Sequence, residues 1–249
     1  MLSKSQIGFI KSLHQKKYRK ENEIFIIEGI KSIVEFIPSA YQLHSIYYLA
    51  EYKSLLPNLP SNIKLFEVNN AELDKISTLH TPQGILALVN FQKKSTFNLA
   101  DLKNNFTLVL DGIQDPGNLG TIIRTADWFG FKNIICSLDT VEIYNPKTIQ
   151  ATMGSLCRVN IYEQDLPEWL KHIGIPIFGA LLEGENSYTI DWGKEGLLIL
   201  GNEGQGISAE VLKFIQHPVT IPRIGSAESL NVAISAGILC SEISRNLNK

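Results

Sequence analysis

Short runs of apolar residues alternate with segments in which apolar residues recur every three or four positions. The short runs predict buried strands, and the three-to-four spacing predicts helices. In the first third of the chain, strands are predicted at residues 23–28, 44–49, 63–68 and 85–91. Helices are predicted at residues 5–13, from residue 29 to the proline at 38, and at 70–77, capped by Asn69 or Asn70. This alternation predicts a small α/β domain that ends near residue 91.

The pattern restarts after a polar stretch without periodicity, which is the best candidate for a linker. Further strands are predicted at residues 107–110, 134–136, 175–180, 196–200 and 219–221. Helices are predicted at residues 118–129, after Asn145 and Pro146, and at 230–247. Short apolar strands between helices predict a parallel sheet with both faces covered. The expected organisation is a domain at residues 1–91, a linker at 92–98 and a second domain at 99–249.

Composition adds limits to the class of protein. Apolar residues make up 44% of the chain and charged residues 19%, which is ordinary for a globular protein. Cys136, Cys157 and Cys240 lie far apart without a CxxC pair, so neither a disulfide framework nor a zinc site is expected. A reducing cytoplasm fits this cysteine usage. The apolar runs are too short for a signal peptide or a membrane helix, so we expect a soluble protein that is not exported.

Three polar, glycine-containing loops follow predicted strands in the second half, at residues 111–126, 200–206 and 221–233. Because ligands of open α/β sheets bind beyond the carboxyl ends of the strands, we expect these loops to line one pocket. The glycine order GxxGxG differs from the dinucleotide fingerprint and from the P-loop, and no lysine follows to reach a phosphate. A different ligand is implied. The candidate catalytic side chains of the three loops are Asn118, Arg124, Glu203, Ser229 and Asn231.

Each loop also has a purely structural interpretation. Asp115 and Asn118 would form an Asx turn and an N-cap, Glu203 would lie in a solvated glycine turn, and Ser229 would cap the last helix. Covalent catalysis is not indicated, because the chain has no GxSxG elbow and its five histidines are scattered. No cluster with metal-ligand spacing occurs either, so no metal is expected. The candidate set suits the orientation and polarisation of a substrate hydroxyl.

These loops, in this order and spacing, resemble the three signature motifs of the SpoU (TrmH-type) RNA 2′-O-ribose methyltransferases of the SPOUT superfamily. The matching residues are DPGNLG at 115–120 with RTA at 124–126, LGNEG at 200–204 with Gly206, and IP at 221–222 with Gly225 and ESLNV at 228–232. The first domain resembles the L30e-like RNA substrate-binding domain of many members that act on ribosomal RNA. Its matches are KYRK at 17–20, FIIEG at 25–29 and TPQGI at 81–85. Arg223 departs from the family, which usually has an apolar residue there.

The resemblance implies an α/β catalytic domain with a deep trefoil knot, and a homodimer whose active site lies at the subunit interface. It implies transfer of a methyl group from S-adenosylmethionine to a ribose 2′-OH, with Arg124 at the catalytic position. The side chains of Asn118, Glu203, Ser229 and Asn231 would position Arg124 and the ribose. The residues carried over as cofactor contacts are Ala180, Leu200, Gly201, Gly206, Ile221 and Leu230.

The expected partner is RNA. The net charge of −2 argues against a protein surface that is basic overall and binds nucleic acid strongly. The predicted contact with RNA phosphates is therefore a local basic cluster, formed by Lys16, Lys17, Arg19 and Lys20. A solvated helix end is the alternative interpretation. The resemblance favours ribosomal RNA, and within it 23S, over tRNA, because tRNA-specific members of the family more often lack this first domain. Two other classes remain: a catalytically silent RNA-binding or ribosome-assembly factor, disfavoured by the intact polar set, and a dehydrogenase, disfavoured by the missing GxGxxG.

Overall fold

The structure is a computed structural model that describes residues 1–92 and 97–248, so most of the predicted linker at 92–98 lies outside the described residues. The helices in these ranges are α1 (Lys4–Ser12), α2 (Lys16–Asn22), α3 (Ile30–Phe36), α4 (Asn70–Ile76), α5 (Pro116–Phe129), α6 (Pro146–Thr152), α7 (Leu166–Leu170), α8 (Ala209–Leu212) and α9 (Val232–Leu247). The strands are β1 (Ile24–Glu28), β2 (Leu43–Tyr48), β3 (Lys64–Glu67), β4 (Ile85–Asn90), β5 (Phe106–Asp111), β6 (Asn133–Ser137), β7 (Asn160–Gln164), β8 (Ile177–Asn186), β9 (Gly196–Gly201) and β10 (His217–Thr220). Within the described ranges, no helix is both long and apolar enough to span a membrane.

The chain forms two compact units. Among the described residues, the first unit comprises 1–92 and 142–157, and the second comprises 97–141 and 158–248. The predicted boundaries put residues 142–157 in the second domain, whereas this segment packs with the first unit. The sequence pattern does not reveal this, because strand and helix periodicity reports local structure and not which sheet an element covers.

The first unit is built on a mixed four-stranded sheet in the order β1-β4-β2-β3, in which β1 and β2 are antiparallel to β4. Successive side chains of β1 point to opposite faces. Ile26 lies in an apolar cluster with Ile10 of α1 and Ile76 of α4. Phe25 contacts the ring of Phe36 at the end of α3, with 5.9 Å between ring centroids. Helices therefore cover both faces of this small sheet, as the alternation of elements predicts.

The segment Glu142–Cys157 completes the core of the first unit. The ring of Tyr144 stacks on Phe25 at 4.6 Å and on Phe91 at 4.0 Å between ring centroids. Gly154 has a φ of +90°, and a Cβ atom there would approach the side chain of Glu35 to 3.0 Å. A larger residue at this position would therefore be both strained and crowded.

Arg19 is a structural residue, so the prediction that it contacts RNA phosphates is wrong. Its side chain is 2% exposed and forms a two-pronged ion pair with Glu142, with Nε–Oε1 at 3.0 Å and Nη2–Oε2 at 2.6 Å. Nη1 also donates to the carbonyl oxygens of Leu13 and His14, each at 2.8 Å. All four hydrogen bonds are to groups of the protein, so the guanidinium is not presented to a phosphate. The remaining basic residues of the cluster, Lys16, Lys17 and Lys20, are exposed and lie on helix α2, which the sequence pattern did not predict.

The second unit confirms the predicted parallel sheet. Six parallel strands run in the order β10-β8-β9-β5-β6-β7, and all six residues of the central strand β5 are buried. Helices α5 and α9 cover one face with apolar residues that include Ile122, Ala126, Ala236 and Leu239. The edge strand β7 escaped the sequence analysis because its residues are only partly buried and mostly polar. The trefoil knot stays a prediction.

Replacement of Arg19 by methionine should lower the free energy of unfolding of the first unit by about 3–5 kcal/mol, because the buried carboxylate of Glu142 would lose its partner. Urea denaturation followed by circular dichroism measures this loss. Lys17→Met on the same helix is the control, and should change stability by less than about 0.5 kcal/mol because its side chain is exposed. Equal denaturation midpoints for Arg19→Met and the wild type would contradict the structural role.

Candidate active site

The first polar loop of the second unit connects β5 to α5, at the carboxyl end of the central strand. Asp115 is the N-cap of α5, since its Oδ1 accepts from the backbone N–H of Asn118 at 2.8 Å. Pro116 occupies the first helical position, where its missing N–H has no intrahelical partner to lose. The helix therefore begins two residues before the predicted start at 118, and the side chain of Asn118 remains available for another contact.

Glu203, in the second loop, bridges β9 to the start of α5. Its carboxylate accepts hydrogen bonds from the backbone N–H groups of Gln114 and Asp115, each at 3.1 Å, and from Asn118 Nδ2 at 2.9 Å. Partial burial by itself raises the pKa of Glu203, but the hydrogen bonds from Asn118 and the backbone outweigh it. The net effect holds this pKa below its ordinary value of 4.5. Glu203 is therefore ionised at neutral pH and acts as a fixed hydrogen-bond acceptor.

Asn231 joins the third loop to the other two. Its Nδ2 donates to Asn118 Oδ1 at 2.9 Å, while its own Oδ1 accepts from the backbone N–H groups of Ala233 and Ile234. Because Asn118 donates to a carboxylate with its amide nitrogen, its oxygen must face Asn231. We refer to Glu203, Asn118 and Asn231 as the three-loop chain. It links the loops after β5, β9 and β10 through side chains alone.

Asn202 is a second organising residue, which the sequence analysis missed. Its Nδ2 donates to Gly112 O at 2.7 Å, and its Oδ1 accepts from the backbone N–H groups of Gly204 and Gln205 at 2.9 and 3.0 Å. The loop folds back so tightly that a Cβ atom on Gly201 would lie 2.2 Å from the backbone of Gly206. Glycine is thus required at position 201. In the sequence, the only sign of the role of Asn202 is that an amide residue directly follows this glycine.

Arg124 lies on the exposed face of α5 and is not part of the three-loop chain. No described residue forms a hydrogen bond or an ion pair with its guanidinium. Six residues of helix separate it from Asn118, which corresponds to about 9 Å along the axis and about 120° around it. Arg124 lines a cavity of about 700 Å³ together with Thr121, Trp128, Tyr188 and Glu242. The predicted action of the other polar residues on Arg124 stays a prediction, because the members of the three-loop chain form hydrogen bonds with one another and not with Arg124.

The third loop contradicts one structural interpretation of the sequence. Asn231 is the N-cap of α9, so Ser229 does not cap this helix, which begins at Val232 and not at 230. Ser229 and Leu230 are exposed. The guanidinium of Arg223, which departs from the family pattern, donates to Ala227 O at 3.2 Å and so closes the loop on itself.

The residues expected to hold the cofactor lie along three adjacent strands. Leu200 and Gly201 end β9, Ala180 lies in β8, and Ile221 directly follows β10. Since β10, β8 and β9 are neighbours in the sheet, their carboxyl ends lie side by side. Leu200 is buried beneath them, and Leu230 presents an apolar side chain that is 48% exposed. Glycine backbone and apolar side chains suit a flat purine with an uncharged edge better than they suit a phosphate.

Metal ligation finds no support among the described side chains, in which no group of three or more His, Cys, Asp and Glu residues could hold an ion. The side chains of Asn202 and of the three-loop chain instead form hydrogen bonds within the protein.

Comparison with known proteins identifies the family of the chain. The model of the SpoU rRNA Methylase family matches residues 105–241, and the model of the MRM3-like substrate binding domain matches residues 4–87. The chain is 32% identical over 234 residues to the 23S rRNA (guanosine(2553)-2′-O)-methyltransferase RlmP of Bacillus subtilis, covering 92% of each chain. A solved structure from Porphyromonas gingivalis, assigned to the TrmH family of RNA methyltransferases, superposes with a TM-score of 0.89 at 37% identity, over 98% of this chain and 99% of that one. The AdoMet-bound rRNA methyltransferase of Sinorhizobium meliloti superposes with a TM-score of 0.84 at 29% identity, over 99% and 97%.

The parallel sheet and the three loops at its carboxyl edge thus define an RNA methyltransferase of the SPOUT class. The chain belongs to the SpoU rRNA methylase family.

The carboxylate of Glu203 should stabilise the second unit in a pH-dependent way. Because its folded pKa lies below the unfolded value, the stabilisation is fully present above pH 4.5 and is lost as the pH falls through the folded pKa. We expect Glu203→Gln to melt a few degrees below the wild type from pH 8 to 5, and the difference to shrink below pH 4.5. Glu185→Gln, which changes an exposed carboxylate, is the matched control. A difference between Glu203→Gln and wild type that is independent of pH would contradict this account.

Proposed function

We propose that the protein transfers a methyl group from S-adenosylmethionine to a ribose 2′-OH of 23S ribosomal RNA. The observation that carries the proposal is the three-loop chain, which assembles the family's three motifs at one edge of the sheet. Two further observations support it. The relative with 92% coverage of both chains acts on 23S rRNA, and the first unit matches a substrate-binding domain.

The cofactor site is assigned to the loops at Gly201, Ile221 and Leu230, with Ala180 beside them. S-adenosylmethionine, when bound there, supplies a methyl group already activated by its sulfonium. The backbone groups around Gly201 and Gly206 can pair with the polar edge of the adenine. The apolar side chains of Ile221 and Leu230 can contact its faces and the methionine chain.

Arg124 is proposed to orient the substrate. A guanidinium keeps its proton up to a pH of about 12, so it cannot accept the proton of the 2′-OH by itself. Its donors, which have no partner among the described residues, can instead hold an RNA phosphate and the 2′-OH in a fixed relation. A cavity of about 700 Å³ beside Arg124 is large enough to admit a nucleotide. Catalysis by this residue is therefore alignment together with stabilisation of developing negative charge.

The substrate and the role of Arg124 can be tested together by mapping 2′-O-methylation across total RNA of cells with and without the gene. We expect one methylated nucleotide of 23S rRNA to be lost without the gene and restored by the wild-type protein. Arg124→Ala and Arg124→Lys should not restore it, because methyl transfer should fall by on the order of a thousandfold and an ammonium lacks the planar two-pronged contact.

Other outcomes of the mapping point elsewhere. Loss of a methylated nucleotide in tRNA would show that tRNA is the substrate in place of 23S rRNA. A methylation map that is the same with and without the gene would favour a catalytically silent assembly factor. Near-normal restoration by Arg124→Ala would leave that residue as an ordinary surface arginine.

The first unit is proposed to bind RNA through Lys16, Lys17 and Lys20 on α2. Glutamine at all three positions should weaken RNA binding and flatten the slope of log affinity against log salt by about 0.7–0.9 per lost phosphate contact. Filter binding at several salt concentrations measures both quantities. Glutamine at the exposed Lys103, Lys194 and Lys213 of the second unit is the matched control, and should leave the slope unchanged. If both triple variants had the same slope of log affinity against log salt, the α2 lysines would contact only solvent and not RNA.

A homodimer is proposed in which a second copy covers the exposed face of α5 and α9. This face presents Trp128, which is 84% exposed, and Ile234, which is 55% exposed. Their burial would remove apolar surface from water. Because Trp128 also lines the cavity beside Arg124, the second copy would form part of the wall of that cavity and leave the nucleotide site at the subunit interface. Light scattering should show a dimer for the wild type and about tenfold weaker association for Trp128→Ala. Leu212→Ala, at an exposed residue of α8, should remain dimeric, whereas a monomeric wild type would refute the proposal.

A further inference from the structure

Strand β8 changes its pairing halfway along its length. Pro218 of β10 pairs with Gly179, but the next residue, Val219, pairs with Glu185. On the other side of β8, the described pairing with β9 ends at Gly179. Residues 180–184 therefore bulge from the sheet at its carboxyl edge, and we call them the β8 bulge. The sequence pattern predicted a strand that ends at residue 180, although the strand continues to Asn186, because the residues from Glu183 onward are polar or glycine.

Thr220, the last residue of β10, holds this bulge at two points. Its hydroxyl Oγ1 donates to the carbonyl oxygen of Leu182 at 2.9 Å. Its own carbonyl oxygen accepts from the backbone N–H of Ser187 at 2.9 Å, just beyond the bulge. The base of the bulge also lies very close to β10, because a Cβ atom on Gly184 would come within 2.4 Å of Pro218 O. The backbone contacts fix the base of the bulge, and the hydroxyl of Thr220 fixes its tip.

The bulge and the residue after Thr220 both belong to the proposed cofactor site. Ala180 begins the bulge, and Ile221 directly follows Thr220. Leu182, at the tip of the bulge, has a side chain that is 75% exposed, although it is a large apolar residue at the edge of the sheet where the cofactor loops lie. The hydroxyl of Thr220 is thus the one described side chain that holds the tip of the bulge beside Ile221.

We propose that Thr220 is a positioning residue for S-adenosylmethionine, holding the β8 bulge in place so that the bulge and Ile221 form one wall of the pocket. The assignment rests on the proposed function. It concerns cofactor affinity and not the methyl transfer step, since among the described residues Thr220 forms no hydrogen bond with the three-loop chain or with Arg124. Valine at position 220 would keep the β-branched shape and remove the donor, which leaves Leu182 O without this bond.

The test compares Thr220→Val and Thr220→Ser in the full-length protein. Calorimetry gives the Kd for S-adenosylmethionine, and steady-state methylation of the mapped RNA gives KM and kcat. We expect Thr220→Val to raise Kd and KM for S-adenosylmethionine about five- to tenfold, with kcat at saturating cofactor within about twofold of wild type. Thr220→Ser should return Kd to within about twofold of wild type, because serine restores the hydroxyl. Thr189→Val is the matched control, since the Thr189 hydroxyl donates to Asn186 O nearby at 3.4 Å and should not affect the cofactor.

The outcomes separate this proposal from the function on which it rests. A wild-type protein that does not bind S-adenosylmethionine overturns both. A wild type that binds, with an unchanged Kd in Thr220→Val, overturns the role of Thr220 alone, as does failure of Thr220→Ser to restore affinity. If thermal melting shows that Thr220→Val is unfolded, Thr220→Ala removes the same donor without a branched side chain and is read by the same criteria.

Discussion

The hydrogen-bonded chain from Glu203 through Asn118 to Asn231 determines how the rest of the site is arranged. The three residues lie far apart in sequence, in the first turn of α5 and in the segments that follow β9 and β10. The ionised carboxylate of Glu203 fixes the amide of Asn118, and that amide in turn fixes Asn231, which starts α9. Charge-assisted hydrogen bonds are stronger than neutral ones, so the acidic end sets the direction of the whole chain. The polar residues that look catalytic in the sequence therefore have a demonstrable task in joining loops.

This use of polar groups leaves Arg124 distinct from its neighbours. The amides and the carboxylate form hydrogen bonds with one another and with the backbone, whereas the guanidinium faces a cavity bordered by Trp128, Tyr188 and Glu242. A residue with unused donors at the edge of a pre-assembled site can bind an incoming anion without first breaking a bond in the protein. The free-energy cost of orienting these groups arises during folding, so no reorganisation is needed when the reaction takes place. Preorganised electrostatic sites accelerate reactions for this reason.

Much of this arrangement could be predicted from the sequence, for physical reasons that differ between elements. Strand β5 and helix α5 carry strong periodicity because they are central and buried, and their ends carry proline and aspartate at positions that permit few conformations. Strand β7 lies at the edge of the sheet and lacks that signal. The burial of Arg19 could not be predicted, because its partner Glu142 is more than a hundred residues away and a basic run looks the same whether its members face water or a carboxylate. The prediction that Ser229 caps α9 is wrong for a related reason. Serine and asparagine cap helices equally well, so only the backbone conformation shows that Asn231 is the cap.

The segment Glu142–Cys157 has a consequence for how such proteins can be recombined. The core of the first unit is not encoded by one continuous stretch, because the ring of Tyr144 fills the space between Phe25 and Phe91 and Glu142 neutralises Arg19. A gene fusion that joined only residues 1–92 to another enzyme would leave Arg19 buried without its carboxylate partner. It would also leave Phe25 and Phe91 without the ring that packs against them. Transfer of the first unit to a relative therefore has to move two segments at once, because residues 142–157 lie inside the region that matches the methylase family and yet complete the core of the N-terminal unit.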